Sequence, residues 1–415
     1  GHASRGTPHA GRDFVARRAD CGGKAAMPDV KLAPAKNLAE QLPHEWEAVL
    51  ASWGEPRYRA LQVFRWINQR GVADPARMTD LPARLRERLA KESLAPLGAA
   101  AETHVSEDGT RKIVVSFGDE QLIETVLIPR GSVAPDDIYA LQPDDDDDIV
   151  GSSDLQLTQC VSSQVGCAMG CVFCASGIAG LKRHLSAAEI VSQVQLARTS
   201  LSDGARLSGL VFMGMGEPLH NYDALVRAIV LISHPEGVGM SLRRMTVSTS
   251  GLVPEIDRLA RDFGGQVQLA VSVHAADSDT RSRLMPINKK YPLPELISAI
   301  RRYPIPRRRR LTIEYTLVRD MNDSRAAAER LVKLLSGLRA KVNLIPMNSV
   351  ADTTLTAPED PAVDAFQRTL RDAGIDTFLR RRKGDDIAAA CGQLALRGAS
   401  RKVKNEFAQP PAPKA

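Results

Sequence analysis

From residue 157 onward, short apolar runs alternate with helical segments, and this alternation limits the possible folds more than any other feature. One of the helices is predicted to begin with a capping box formed by Ser186 and Glu189. Repeated strand–helix units form parallel sheets, so the sequence predicts an α/β fold with an open or partial (β/α) barrel over residues 157–398. The strand-like runs after residue 157 cover residues 209–213, 245–248, 267–273, 311–317, 342–345 and 377–379.

The chain before the barrel predicts two smaller units. Apolar residues recur at helical spacing, as at Trp46 and Leu50, and indicate a small helical domain over residues 36–98. Residues 112–128 alternate between apolar and polar side chains around a Gly-Asp turn. This alternation predicts a β-hairpin within residues 99–130.

Three segments carry no regular pattern. Residues 1–35 are rich in Gly, Ala, Arg and Pro, and we interpret them as a disordered leader, part of which precedes a natural start at Met27. Residues 131–156 are predicted to be an acidic linker, because five consecutive aspartates at residues 144–148 repel one another and resist packing. Residues 399–415 form a basic tail.

Composition narrows the class of protein. Hydrophobic residues make up 43% of the 415 residues, which is enough for a large core. No apolar stretch approaches the roughly 18–20 residues of a membrane span, and the N-terminus lacks a secretory signal, so we expect a cytoplasmic protein. The net charge of +6 suits a polyanionic partner, although charge clusters are also common on solvated helix ends. The basic clusters are residues 301–302, 307–310, 380–383 and 401–404.

Three cysteines follow the first strand of the predicted barrel in a C-x3-C-x2-C arrangement: Cys167, Cys171 and Cys174. Thiolates this close together in a loop predict a metal site, and thiolate ligands favour zinc or an iron–sulfur cluster. Zinc would require a fourth ligand, for which Cys160 or His184 is available. Three ligands to a four-iron cluster would instead leave one iron open.

Polar residues follow several of the predicted strands, and together they predict a rim around a site at the carboxyl ends of the strands. Considered singly, each is more typical of a strand-end polar group, a helix cap or a turn with a capping glutamate. These residues are Gly216 and Glu217 after the second strand, then Ser248, Ser272, His274 and Asn348.

The cysteine motif, with an aromatic residue before the last cysteine, resembles the signature of the radical S-adenosylmethionine (SAM) superfamily. Longer matches resemble the RlmN/Cfr family of RNA adenine methyltransferases, and the RlmN branch more closely. They are the segment from Cys160 to Cys167, Met-Gly-Met-Gly-Glu-Pro at residues 213–218, Pro-Ile-Asn-Lys-Lys-Tyr at 286–291 and the segment around Cys391 at 384–394. The resemblance covers roughly residues 38–398, while the long acidic linker, the leader and the tail depart from it.

This resemblance implies a partial radical SAM barrel with one 4Fe-4S cluster on Cys167, Cys171 and Cys174. It also implies a helical domain of RNA-binding type. The implied SAM ligands are Gly216, Glu217, Ser248, Ser272, Val273, His274 and Asn348.

The resemblance also assigns roles to three residues outside the cluster motif. Cys391 would carry a methyl group, Cys160 would resolve the tethered base by forming a disulfide, and Glu124 would act as the base. Two SAM molecules would be used per turnover, with electrons from a flavodoxin-type donor. The implied reaction methylates carbon 2 of an adenosine in 23S ribosomal RNA, with tRNA as a further substrate class.

Two alternatives remain open. A Cfr-like enzyme would use the same residues to methylate carbon 8 of adenosine. In a non-catalytic RNA-binding protein, the clustered cysteines would hold a structural zinc, while Cys160 and Cys391 would be inert.

Overall fold

The structure is a computed structural model that describes residues 30–92, 94, 98–119, 121–130, 155–350, 353–380 and 383–394. The predicted basic tail, the aspartate run and residues 1–29 of the predicted leader lie outside the described residues. Residues 30–35 are described, and Val30 and Leu32 pack against the core. This last part of the predicted leader is therefore an ordered part of the fold.

A ten-stranded sheet forms the centre of the protein, and seven neighbouring strands of it are parallel. The parallel strands, in spatial order, are β4 (Leu155–Cys160), β7 (Ala205–Phe212), β8 (Met245–Thr249), β9 (Gln268–Ser272), β10 (Leu311–Leu317), β11 (Ala340–Pro346) and β12 (Thr377–Leu379). Two short strands, β5 (Gln164–Val165) and β6 (Arg183–His184), pair separately. The prediction of a parallel α/β barrel is confirmed.

Three antiparallel strands extend this sheet at the β4 edge. They are β1 (Ala99–Val105), β2 (Arg111–Ser116) and β3 (Leu122–Pro129), and β3 pairs with β4. The predicted hairpin is confirmed as β2–β3, but it belongs to a three-stranded meander that continues the barrel sheet. Strand β1 was not predicted, because its sequence is mostly small or polar and its side chains are largely exposed.

Helices connect the parallel strands. The predicted capping box is confirmed: Ser186 Oγ accepts from Glu189 N–H, and Glu189 Oε2 accepts from Ser186 N–H at 2.8 Å. The helices are α1 (Pro43–Ser52), α2 (Arg59–Phe64), α3 (Ala83–Lys91), α4 (Ala175–Ala179), α5 (Ala187–Thr199), α6 (Tyr222–Ser233), α7 (Val253–Phe263), α8 (Ser278–Leu284), α9 (Leu293–Arg302), α10 (Arg325–Leu335) and α11 (Asp360–Asp372).

The helical N-terminal region shares one continuous hydrophobic core with the barrel. Trp46 and Leu50 on α1 are fully buried, as their spacing predicted. The buried Arg227 on α6 reaches back to this region, where it pairs with Glu45 at 2.8 Å and donates to the Ala33 carbonyl oxygen. The region therefore packs on the barrel through both apolar and charged contacts. No described helix is long and apolar enough to cross a membrane.

Candidate active site

An open cleft lies at the carboxyl ends of the parallel strands, and most of the predicted site residues line it. Three predicted residues, Val273, Cys160 and Glu124, are not among its lining residues. The predicted residues that line the cleft are Cys167, Cys171, Cys174, Gly216, Glu217, Ser248, Ser272, His274, Asn348 and Cys391.

The cysteine loop, residues 166–174, connects β5 to α4, and its backbone is anchored to α8. Val172 N–H donates to the Leu284 carbonyl oxygen of α8 at 3.2 Å. Burial raises the pKa of the Cys167 thiol to about 12, and burial also raises the pKa of Cys171 and of Cys174. Without a ligand the three thiols are therefore protonated, and a metal centre would displace their protons on binding.

A single zinc ion would require a fourth ligand close to the three cysteines. Within the part of the chain that the structure describes, no three His, Cys, Asp or Glu side chains form a group that could hold one metal ion. His184, one candidate fourth ligand, has its Nδ1 atom 3.0 Å from Gln164 Nε2 and its ring against His220. In a four-iron cluster each thiolate binds a different iron, so the three sulfurs need not converge on one point.

The turn after β7 brings Glu217 into the cleft. A Cβ atom on Gly216, which has φ of 106°, would lie 2.6 Å from the Gln164 Cβ atom, so the close approach requires glycine. Gln164 Oε1 accepts from Glu217 N–H at 2.8 Å. The Glu217 carboxylate accepts from Ser250 N–H at 2.7 Å and from Leu219 N–H at 3.1 Å. Glu217 is therefore a capping residue as well as a cleft residue, and burial raises its pKa despite these hydrogen bonds.

His274 and Asn348 are held at the ends of β9 and β11. His274 has φ of 54°, its Nδ1 accepts from Thr316 N–H at 2.9 Å, and burial lowers its pKa to about 3. It is therefore neutral at pH 7. Asn348 Nδ2 donates to the Cys391 carbonyl oxygen at 2.8 Å. The buried Asn348 Oδ1 and Glu314 Oε2 atoms, which both belong to cleft residues, have no hydrogen-bond partner among the described residues.

Cys391 lies on a loop, residues 383–394, which we call the Cys391 loop. Ala175 N–H donates to the Gly392 carbonyl oxygen at 2.8 Å and joins this loop to α4 beside the cysteine loop. On its other side the loop is held by the meander, where Lys112 Nζ donates to the Ala388 carbonyl oxygen at 3.1 Å. A thiol distant in sequence from the motif is thereby placed in the cleft with the cluster cysteines.

Cys160 ends β4 and is buried. Burial raises the pKa of its thiol to about 12, and a negative charge on Cys391 would raise this pKa further. All five described cysteines are free thiols. The disulfide expected between Cys160 and Cys391 is therefore not present in this structure.

Sequence analysis missed two charged residues of the cleft, Glu314 and Arg380. Burial raises the pKa of Glu314, and burial also raises the pKa of Cys391 although Arg380 opposes it. Burial alone would lower the pKa of Arg380, but negative charges at Cys391, Glu314 and Cys160 outweigh it and raise the pKa. Arg380 thus lines the cleft together with Cys391 and Glu314.

Two predicted site residues lie behind the cleft. Glu124 on β3 is 2% exposed and forms an ion pair with the buried Lys112 at 3.2 Å, so it is not a surface carboxylate. Val273 is fully buried, and its N–H donates to the Glu314 carbonyl oxygen at 3.0 Å. Its side chain is therefore packed away from the cleft, and the residues on either side of it, Ser272 and His274, line the cleft.

The basic clusters are partly used within the fold. Arg302 pairs with Asp257 at 2.9 Å, and Arg310 pairs with Asp376. Arg309 is buried and donates to the Gln266 carbonyl oxygen at 2.8 Å. Residues 381–382 and 401–404 lie outside the described residues. The polyanion surface predicted from these runs is therefore smaller than the sequence suggested.

Comparison with known proteins identifies the class. Residues 161–332 match the Radical SAM superfamily model, and residues 36–94 match the model described as Ribosomal RNA large subunit methyltransferase N-terminal domain. Together with the sheet and the cysteine loop, these matches define a radical SAM enzyme.

Similar proteins identify the family. A dual-specificity RNA methyltransferase RlmN from Sorangium cellulosum is 57% identical over 375 residues, which cover 88% of this chain and 96% of that protein. The protein of the same name from Geobacter sulfurreducens is 43% identical over 350 residues, 84% of this chain and 89% of that protein. A solved radical SAM methyltransferase from Sphaerobacter thermophilus is 43% identical in sequence, and its structure matches with a TM-score of 0.76. The match covers 87% of this chain and 99% of the solved chain. The chain belongs to the RlmN family of radical SAM RNA methyltransferases.

Proposed function

We propose that this enzyme methylates carbon 2 of an adenosine in 23S ribosomal RNA, with tRNA as a second substrate class. The observation that carries the proposal is the meeting of Cys391 with Cys167, Cys171 and Cys174 in one cleft. The RNA assignment is supported by the description of the N-terminal family model and by the dual-specificity names of the relatives. We place the reaction in the cytoplasm, independent of membranes.

The cleft residues fit a SAM-binding cluster. Three thiols, with no fourth protein ligand assigned among the described residues, would hold a 4Fe-4S cluster with one open iron. The Asn348 Oδ1 and Glu314 Oε2 atoms, which have no partner in the described part of the chain, offer acceptors for an ammonium group. When bound, the cluster and SAM supply a 5′-deoxyadenosyl radical. The residues proposed to hold SAM are Gly216, Glu217, Ser248, Ser272, Val273, His274 and Asn348.

Cys391 is proposed to carry the transferred carbon. Its thiolate would attack the methyl group of a first SAM, so that a carbon–sulfur bond forms and S-adenosylhomocysteine leaves. With a second SAM, the S-methyl group would give a hydrogen atom to the 5′-deoxyadenosyl radical, and the resulting carbon radical would add to carbon 2 of the adenine. The base is then tethered to the protein through the Cys391 sulfur. Reaching this edge requires a base that is unstacked or displayed in a loop.

Cys160 and Glu124 are proposed to release the product. Glu124 takes the proton from carbon 2, which requires its ion pair with Lys112 to open, since the carboxylate lies behind the cleft. The Cys160 thiolate would then attack the Cys391 sulfur, so that a transient disulfide forms as the carbon–sulfur bond breaks. The released carbon would take up a proton to become the methyl group, and the unpaired electron that radical addition left on the adduct would pass back to the iron–sulfur centre. A flavodoxin-type electron donor is proposed to supply the electrons for SAM cleavage, and an external reductant reopens the disulfide.

The test is mass analysis of nucleosides from RNA treated with the anaerobically reconstituted enzyme. We expect a brown protein with about four irons per chain and 2-methyladenosine in the digested RNA. 8-Methyladenosine would instead identify a Cfr-like enzyme, and a colourless protein with one zinc would refute the radical assignment.

Two variants test the thiol roles. Cys391→Ala should assemble the cluster and yet form no methyladenosine, because the carrier sulfur is gone. Cys160→Ala should accumulate protein crosslinked to RNA, visible on denaturing gels, because the tether cannot be resolved. Normal methylation by Cys391→Ala, or the absence of a crosslinked species with Cys160→Ala, would contradict the covalent route.

A further inference from the structure

Arg281 on α8 is a fully buried cation whose hydrogen bonds all go to neutral oxygens. Its Nε donates to the Val273 carbonyl oxygen at 3.1 Å, and Nη1 donates to Asn288 Oδ1 at 3.0 Å. Its Nη2 donates to the carbonyl oxygens of Ser250 at 2.7 Å and Ser272 at 3.2 Å. The guanidinium thus lies directly behind the ends of β8 and β9.

A buried charge without a counter-ion is costly, so its retention calls for an explanation. Among the described residues, no carboxylate forms an ion pair with Arg281, whereas the buried Arg227 is paired with Glu45. Burial lowers the pKa of Arg281 to about 10, so the group still carries its charge at pH 7.

Arg281 also lies close to the cysteine loop. Two of the carbonyl oxygens that it binds belong to Ser250 and Ser272, which line the cleft together with the three motif cysteines. On the same helix, the Leu284 carbonyl oxygen accepts the hydrogen bond from Val172 N–H, between Cys171 and Cys174. Arg281 therefore lies behind the wall of the cleft beside the place where the three thiolates would hold a cluster.

We propose that Arg281 is the fixed positive charge that offsets the cluster and raises its reduction potential. This proposal rests on the cluster assignment made above. Reduction adds one negative charge to a centre that already bears three thiolates, and a cation in a medium of low dielectric constant favours the reduced form. Because SAM cleavage requires the reduced cluster, Arg281 would make the first electron transfer easier.

Arg281 also links the ends of β8 and β9 through its hydrogen bonds, so the variants must distinguish the effect of its charge from the effect of these bonds. Arg281→Lys keeps the charge with fewer hydrogen bonds, whereas Arg281→Gln removes the charge and keeps a donor. Asn288→Asp leaves the guanidinium in place and supplies the carboxylate that it lacks. Arg283→Gln is the matched control, because Arg283 is an exposed arginine on the same helix.

The experiment is an EPR-monitored redox titration of the reconstituted protein without RNA, with iron and sulfide analysis to confirm cluster content. We expect Arg281→Gln and Asn288→Asp to shift the midpoint to more negative potential. At a fixed potential, the ratio of reduced to oxidised cluster should fall at least tenfold. For a one-electron couple this fall corresponds to a midpoint shift of about 59 mV. Arg281→Lys and Arg283→Gln should remain close to the unmodified protein.

An unchanged midpoint in Arg281→Gln or Asn288→Asp with full cluster content would overturn the proposal. Equal shifts in Arg281→Lys and Arg281→Gln would also overturn it, because they would assign the effect to hydrogen bonding. If Arg281→Gln fails to assemble a cluster, the Asn288→Asp midpoint decides. The redox titration contains no RNA, so its outcome does not depend on the methylation assay. Failure to form methylated RNA in that assay would refute the proposed function and leave this inference standing. If the unmodified protein assembled no cluster, both would be refuted.

Discussion

Asp386 links the Cys391 loop to the meander from a position outside the cleft. Its Oδ1 accepts from Ser106 Oγ at 2.6 Å, and its Oδ2 accepts from Glu107 N–H at 3.3 Å. We expect Asp386→Ala to loosen the loop and slow the loading of a methyl group onto Cys391. No cluster or SAM ligand proposed above is altered by this change.

The size of the effect follows from these two contacts. A hydrogen bond to a charged group contributes about 1.5–3 kcal/mol, but Asp386 is exposed and its second bond is long. We therefore expect a loss of roughly 1–2 kcal/mol of local stability, which corresponds to a roughly 5- to 30-fold larger open population. The bonds to the carbonyl oxygens of Ala388 and Cys391 should keep the loop docked most of the time.

Hydrogen exchange followed by mass spectrometry measures this directly. Peptides covering residues 384–394 should exchange roughly 5- to 30-fold faster in Asp386→Ala, while the global unfolding midpoint changes little. Asp364→Ala, an exposed aspartate on α11, is the matched control and should leave the loop unchanged. Unaltered exchange in the loop, or equal acceleration across the whole sheet, would refute the argument.

Two further predictions concern the backbone of the cleft and its pH dependence. In Gly166→Ala the new Cβ would lie 1.9 Å from the Gly180 carbonyl oxygen at φ of 73°, so we expect a loss of at least about 3 kcal/mol in urea unfolding and a lower iron content. Gly264→Ala, at a left-handed helix cap with φ of 55°, meets no atom within 4 Å and should cost only about 1–2 kcal/mol; equal losses would contradict the steric argument. Burial lowers the pKa of His274 from 6.5 to about 3 in the folded protein. Between these two pH values the unfolded chain binds one proton more than the folded chain. The free energy of unfolding of the metal-free protein should therefore fall as pH drops from 6.5 towards 3. His274→Asn should show a weaker fall in urea titrations, and identical pH profiles would exclude this role.

The features predicted correctly from the sequence depend on local patterns. The capping box at Ser186 and Glu189 needs only residues three apart, and the parallel sheet follows from the strand–helix alternation. Ser248, Ser272 and Asn348 were placed on one rim because parallel strands end at the same edge of a sheet. The sequence shows that a residue follows a strand, but it does not show which side chains that residue contacts.

The missed features depend on contacts between distant segments. Arg380 directly follows β12, so its position at the end of a strand also predicts a place on the rim. Because it lies in a run of basic residues, however, it was assigned to an exposed basic cluster. Glu314 lies on β10 between Thr312 and Thr316, and this polar alternation in a buried strand was the available signal. The burial of Glu124 could not be predicted, since it depends on Lys112 from the neighbouring strand.

The electrostatics of the cleft suit a nucleophile that is activated only when its methyl donor is bound. In the free protein, burial raises the pKa of Cys391 despite the nearby Arg380, so the thiol is mostly protonated and unreactive. The pKa values of Glu217 and Glu314 are likewise raised, because burial penalises their charged forms. A cofactor that brings an ammonium and a sulfonium group would favour the charged forms of both carboxylates and of the thiol. Under the proposed function, SAM would therefore favour the thiolate that attacks it, and the raised pKa of Cys391 would protect this thiol from other electrophiles before SAM binds.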